Sequence, residues 1–262
     1  GFGLLLQRSR RVIVDGLAAT GFNGREHAPG NAGGGGYWGI LLEGGRQCVV
    51  RRCTAYLNGG GIALRSDEGS RDNVIEFCVA FGNYSKHCTE GGNIIGFSTH
   101  YDEIRDCYAY KGRPNGFRFY GAGIKGPVVM RRNLGWGSSY TDFFTKGGLA
   151  QTYGLAERCI SLGIFHMAHV SNCIVGTINQ YNRDPGIDTI RYASEARSIR
   201  DREFADPDNL DFRLQSDSRF RGRGPGGTDR GPFPYETNVF FVSASGRDAQ
   251  DGLSLRTPWK TL

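Results

Sequence analysis

Apolar residues in this chain fall in short runs that alternate with polar ones, and the runs recur. Val49-Val50-Arg51-Arg52-Cys53-Thr54-Ala55-Tyr56 has counterparts in Val74–Phe81, Glu103–Tyr110, Val129–Trp136 and Leu155–Leu162. Within each, apolar side chains tend to return at every second position, the period of a half-buried strand. The fifth place falls at Cys53, Cys78, Cys107, Asn133 and Cys159, giving intervals of 25, 29, 26 and 26. Val12–Ala18 reads as an earlier copy, displaced by a Gly-rich insertion near Gly30–Gly36, and Val170–Val175 as a later, shorter one. A period in the mid-twenties with no helical stretch predicts an all-β solenoid, a right-handed parallel β-helix with coils of about 25 residues. Leucine-rich repeats share the length but not the Leu/Asn pattern, and helical repeats are longer.

Stacked coils place equivalent positions at about the ordinary strand spacing of 4.8 Å, so each position becomes a ladder. Cys53, Cys78, Cys107, Asn133 and Cys159 are expected to form one inward ladder. Tyr56, Phe81, Tyr110, Trp136 and Leu162 form a column beside it, and Ile62, Phe97, Phe117 and Phe143 a third, on the strand after the corner. The seven cysteines fit no zinc spacing; stacked free thiols suit a packed interior as small hydrophobes, although adjacent coils leave disulfides open. The 41 glycines carry no Gly-X-Y period and suit tight corners. No segment approaches eighteen apolar residues, so no spanning helix is expected. The chain opens on Gly rather than Met and reads as an excerpt whose start carries no targeting information. The net charge is +6, and 27 of the 32 basic residues are arginine. That balance favours anionic partners generally (acidic polysaccharide, nucleic acid or a membrane surface), with arginines scattered over a solvated surface the plainer reading, because no Lys/Arg-rich run occurs before Arg219–Arg223.

Three regions are expected: coils over 1–176, an irregular and closing segment over 177–233, and over 234–262 a linker and the opening strand and cap of a following β-helix unit. Asn179 to Arg202 is polar, a long loop or a short helix around Ala193–Arg200. Phe204-Ala205-Asp206-Pro207-Asp208-Asn209-Leu210-Asp211-Phe212-Arg213-Leu214, the run Gly222–Gly227 and Thr228-Asp229-Arg230-Gly231-Pro232-Phe233 resemble the segment with which many bacterial secreted β-helix proteins close. Asn238–Gly252 and Thr257-Pro258-Trp259-Lys260-Thr261-Leu262 resemble the opening of such a domain. An opening after a closing implies a tandem array, joined through Pro232–Thr237.

Asn115-Gly116-Phe117-Arg118, then Gly121 and Gly123, then Val128–Trp136 resemble the "NGFKxGG…HxxRNxxAxxN" register of polysaccharide lyase family 9, the calcium-dependent pectate lyases. The resemblance covers roughly residues 45 to 175. It implies β-elimination on a uronate polymer: calcium held by Asp side chains neutralises the carboxylate, and the motif Lys removes the proton α to it. Two departures matter. Arg118 takes the Lys place, and a guanidinium keeps its proton to above pH ~12. Asn58-Gly59-Gly60-Gly61-Ile62-Ala63-Leu64 stands where the family carries acidic ligands, with Asp67 and Glu68 beyond the strand.

No metal or other cofactor is therefore expected, calcium being the one the resemblance implies. The first reading is an extracellular or cell-surface module of a tandem-repeat protein, structural or adhesive, with a degenerate lyase site and acidic polysaccharide and neighbouring β-helix units as partners. It includes neither nucleic acid nor a membrane span. The alternative is an active, metal-free lyase in which Arg118, Lys125 and Lys146 neutralise the uronate and one of them acts as base. Tyr101, Tyr120 and Tyr140 are the candidates for stacking on sugar rings. Weaker candidates are His87 with Cys88, His100, and His166 with His169 as metal ligands, and Asp102, Glu103 and Asp106 as a glycosidase carboxylate pair, with solvated strand-edge charges the plainer reading. Asp142 stands alone between Thr141 and Phe143.

Overall fold

The computed structural model describes residues 1–22, 37–65, 70–84, 92–97, 100–120, 126–146, 154–166, 169–171, 173–178, 190–191, 201–206, 211–223, 227 and 229. Side chains at 145–146, 163–166, 169–171, 174–178, 190–191 and 211–212 are outside that description. The expected linker and opening cap over 234–262 and the possible helix at Ala193–Arg200 lie outside the described residues.

The chain is a parallel β-solenoid with coils of about 26 residues and three parallel sheets. Each coil contributes one long strand and two short ones. The long sheet stacks Phe2–Gln7, Trp38–Glu43, Gly60–Arg65, Gly92–Phe97, Asn115–Tyr120 and Thr141–Lys146 in register. The middle sheet stacks Ile13–Asp15, Val49–Arg51, Val74–Glu76, Glu103–Arg105, Val128–Arg131, Gly154–Glu157 and His169–Ser171. The third stacks Ala18–Thr20, Thr54–Tyr56, Val79–Phe81, Tyr108–Tyr110 and Leu134–Trp136 onto Ile160–His166. That last strand also pairs Phe165 with Phe143 and so joins the third sheet to the long one.

Alternation decides what faces inward. The middle sheet buries Val50, Ile75, Ile104, Met130 and Ala156; the third buries Ala19, Ala55, Ala80 and Ala109; the long sheet buries Ile40, Leu42, Ile62, Leu64, Ile94, Phe117, Phe119 and Phe143. Small residues on one wall thus meet large ones on another, which fills the interior evenly. Gly135, in register with Ala109, continues this logic: a Cβ there would lie 3.0 Å from the Phe143 ring. The long-sheet ladder differs from expectation at one rung. Ile94, not Phe97, pairs with Ile62 and Phe117, and Phe97 falls three residues on, outside the solenoid against Trp38.

The corners are where the backbone needs help. Between middle and third sheets one residue per coil turns the chain through the left-handed region: Arg52, Phe77, Asp106, Arg132 and Arg158, at φ 52–53°. The peptide N–H that follows points off the strand ladder into the interior, where an unmet donor costs about 1–3 kcal/mol. A buried side chain one coil further on accepts it. Cys53 N–H donates to Cys78 Sγ at 3.4 Å, Cys78 N–H to Cys107 Sγ at 3.4 Å, and Cys107 N–H to Asn133 Oδ1 at 3.0 Å. The thiols donate in turn to carbonyls, Cys53 to Arg51, Cys78 to Glu76 and Cys107 to Arg105. The expected inward ladder is therefore present, and all six described cysteines are free and buried.

The other two corners repeat the device with amides and a carboxylate. Cys48 N–H donates to Asn73 Oδ1 at 3.1 Å and Asn73 N–H to Asp102 Oδ1 at 2.6 Å. Phe22 N–H donates to Asn58 Oδ1, and Asn58 N–H to Asn83 Oδ1, while each Nδ2 reaches a carbonyl of the preceding coil, Ala19 and Ala55. Glycine leaves the room these asparagines need: a Cβ on Gly39 would come 2.7 Å from Asn58 Nδ2, and one on Gly61 2.8 Å from Asn83 Nδ2.

Outward positions carry two more ladders. Tyr56, Phe81 and Tyr110 stack with centroids 5.0 and 4.8 Å apart and nearly parallel, and Trp136 continues the stack at 6.5 Å. On the middle sheet Asp15, Arg51, Glu76, Arg105, Arg131 and Glu157 follow one another in register. Arg105 reaches Glu76 at 2.5 Å; where two arginines adjoin, Glu103 bridges Arg105 at 3.4 Å and Arg131 at 2.9 Å. Arg52 pairs with Asp15 and holds its carboxyl below the usual carboxylate range.

After the coils, residues 201–203 are helical, and Phe204–Asp206 pairs antiparallel with Asp211–Leu214. Phe204, Leu214 and Phe220 pack on Leu134 and Ile160, covering the outer face of the third sheet. Glu203 is buried beneath this segment, accepting from Ser218 Oγ and Arg219 N–H and paired with Arg202 and Arg219.

Two outcomes follow for stability. Asn83→Ala strands Asn58 N–H and the Ala55 carbonyl together, and should cost about 2–4 kcal/mol in urea unfolding. The thiols of Cys53, Cys78 and Cys159 are raised above their ordinary value of 9.0: the neighbouring cysteine raises Cys53 and Cys78 most, burial raises Cys159 most. Below pH 9 both states keep these protons; above it the unfolded chain loses them while the folded one does not. Stability should therefore fall as pH climbs from 9 toward 11, by less in Cys78→Ala than in the parent at matched starting stability.

Candidate functional site

The outer face of the long sheet holds the sequence candidates. Its central outward column runs Leu5, Leu41, Ala63, Ile95, Arg118 and Phe144. The first part of that column is apolar: Trp38, Leu41, Ala63 and Ile95 form a buried cluster with Phe2, Leu5 and Phe97 against it. Arg118 follows, only 4% exposed. Its guanidinium carbon lies 4.5 Å from the Tyr120 ring centroid and 5.0 Å from that of Phe144. Tyr140 stands edge-on to Phe144 at 6.0 Å. Asn115 and Thr141, in register at the start of these strands, share a 2.7 Å hydrogen bond.

Arg118 therefore lies between Tyr120 and Phe144, and Phe144 in turn meets Tyr140, which stands at the other end of the strand from Tyr120. Phe144 was not among the sequence candidates, although its place one period beyond Arg118 was the available signal. Tyr101 is elsewhere. It is the left-handed residue of the corner that follows Gly92–Phe97, exposed, with its ring over Gly126. Tyr140 sits at the opposite corner, and a six-residue strand of about 17–20 Å separates the two ends. Lys146 ends the strand beside Tyr120 in register, its side chain outside the description, and Lys125 lies outside the described residues altogether.

Two aromatic faces attract a cation through their quadrupoles, worth about 0.5–2 kcal/mol each. Enclosed between them, Arg118 presents no open face to a substrate proton, which a proton-abstracting base needs. The carboxylate candidates are used structurally. Asp102, expected as a solvated edge charge or half of a catalytic pair, is buried and accepts Asn73 N–H, because the corner donor there needs an acceptor. Asp106 turns a corner and pairs with Arg132 at 2.6 Å, and Glu103 bridges arginines. Asp142 accepts Ser138 N–H at 3.1 Å and Ser161 Oγ at 3.4 Å. Asp67, Glu68, His87 and Cys88 lie outside the described residues, as do the side chains of His166 and His169. Among the described residues no group of three or more His, Cys, Asp or Glu side chains is placed to hold a metal.

A second feature escaped the sequence reading, which took the arginines as scattered. Arg10, Arg46 and Arg71 pair as parallel bridges on successive coils at the corner between long and middle sheets. Each stands seven positions before the repeat's key place (17, 53 and 78), a recurrence visible only once the period is imposed. With Arg11, Gln47 and Asp72 they line a groove of about 450 Å³.

In comparisons with protein-family models, curated proteins and solved structures, none matches this chain.

If Arg118 is a packed cation, its removal is felt as stability. Arg118→Ala should lower unfolding free energy by about 2 kcal/mol, read by thermal melting, while Tyr101→Ala, at an exposed corner, should stay within about 0.5 kcal/mol.

Proposed function

We propose that this chain is a module of an extracellular tandem-repeat β-helix protein, a structural or adhesive unit that contacts acidic polysaccharide and carries a degenerate pectate-lyase-like site. The observation that carries the reading is the setting of Arg118. In a lyase of this kind the side chain at that place must surrender and take up a proton beside an open groove. Here it is a nearly inaccessible cation between Tyr120 and Phe144. The segment Asn58–Leu64 supports the same conclusion. Asn58 is committed to the corner ladder, Gly60 lies beneath the Trp38 ring and Ala63 belongs to the apolar cluster, so the strand that would offer calcium ligands offers packing instead. The solenoid itself suits a repeating scaffold, since each coil contacts mainly its neighbours.

The competing reading is an active lyase working through Arg118, Lys125 and Lys146. Incubation with pectate, alginate and glycosaminoglycans, followed by ultraviolet absorbance for the unsaturated product of β-elimination, separates the two. No product is expected on any of these polymers, with retention of the chain on at least one of them in affinity electrophoresis. Product formation that disappears in Arg118→Ala would establish the lyase instead. Sequencing the encoding gene past Leu262 should reveal a further set of coils.

A further inference from the structure

We propose that the corner ladder of Arg10, Arg46 and Arg71, with Arg11, Gln47 and Asp72, is a binding groove for a linear acidic polysaccharide laid along the solenoid axis. The groove rests on the polysaccharide-contact reading above but names a place that reading does not, one corner away from Arg118.

The first argument is charge placement. Like charges directly opposite each other on neighbouring strands are destabilising. The middle sheet obeys this: signs alternate, and Glu103 spans the single pair of adjoining arginines. At the corner three arginines stack on consecutive coils with no acidic residue alternating between them. Among the described residues Arg10 and Arg46 make no ion pair; Arg71 has Asp72 at 3.5 Å, and Arg11 donates to Gln47 Oε1 at 3.2 Å. His100 follows Arg71 on the next rung, its carbonyl accepting Asp72 N–H at 3.3 Å. This is a row of cations with about 4.8 Å between rungs, bridged backbone to backbone, with Arg10 and Arg71 exposed and Arg46 partly so.

The second argument is the chemistry of the lining. Guanidinium forks match carboxylate and sulfate oxygens two at a time, and a regular row of them fits a polymer whose anionic groups recur at regular intervals. Gln47 and Asp72 add side-chain acceptors suited to sugar hydroxyls. Single-stranded nucleic acid fits less well. None of the six lining residues is aromatic, so bases have no stacking platform.

The test is affinity electrophoresis and calorimetry of the whole chain against a carboxylated polymer (polygalacturonate), a sulfated one (heparin), a neutral one (dextran) and oligo-dT. Binding to one or both acidic glycans, none to dextran and weaker binding to oligo-dT at equal charge is expected, the first two arms naming the anion. The triple variant Arg10→Ala/Arg46→Ala/Arg71→Ala should lose about tenfold or more in affinity and lower the salt slope by roughly one per arginine. Arg46→Glu, the central rung, should do so with a single change if the triple variant folds poorly. A control removing three exposed arginines elsewhere, Arg113, Arg221 and Arg223, should keep most of the affinity. Equal loss in that control, full affinity in the triple variant and Arg46→Glu, or tighter binding to oligo-dT would each overturn the groove while leaving glycan contact intact. Failure of the parent to bind either acidic glycan would overturn both this site and the function proposed above.

Discussion

Each coil of this solenoid turns three corners, and among the described residues all three kinds of corner aim a peptide N–H at the interior with no strand to receive it. The chain meets that donor with a side chain from the coil above, and much else follows from this one bond. The acceptor must be short, since it reaches back only one rung; it must be able to accept, and it must tolerate complete burial. Asn, Asp and Cys satisfy all three, and they fill Asn58, Asn73, Asn83, Asp102, Cys78, Cys107 and Asn133. Their amides need space, which fixes glycine at Gly39 and Gly61. A slender wall of alanines on the third sheet then leaves the long sheet to supply bulk, ending in Phe117 and Phe143.

Thiols and amides share one ladder because they answer the same demand differently. Asn133 accepts from Cys107 and donates to the Ile104 carbonyl at 2.7 Å, closing both of its hydrogen-bonding duties. A cysteine does the same with a weaker acceptor and a weaker donor, but it brings less polar surface into the core. The burial of Cys78, Cys107 and Cys173 is on this account a matter of corner geometry. The same demand draws Asp102 indoors, where a strand-edge carboxylate would otherwise be expected.

Period and ladders were legible in the sequence because stacking converts three-dimensional adjacency into a fixed interval. The corner ladder, the aromatic stack and the inward Phe117–Phe143 pair could all be read that way. Residue type alone puts Phe97 on the inward ladder, but Ile94 holds the register because coil lengths vary at the corners. Arg118 was found by motif, but its enclosure by Phe144 is a contact between neighbouring rungs and needed the register. The arginine column is hidden for a related reason: it is no run along the chain, only a recurrence at one phase of the repeat. Tyr101 and Tyr140, similar in sequence as exposed aromatics, fall at opposite ends of the long strands because their corners differ.

The middle-sheet charges impose a parity on the solenoid. Asp15, Arg51, Glu76 and Arg105 alternate in sign from rung to rung. Deleting one of these coils would set Asp15 against Glu76, or Arg51 against Arg105, whereas deleting two would restore the alternation. Growth or loss of such a stack by whole-coil duplication is thus favoured in even steps, and an odd step requires a healing charge. Glu103, wedged between Arg105 and Arg131, is what a healed odd step looks like.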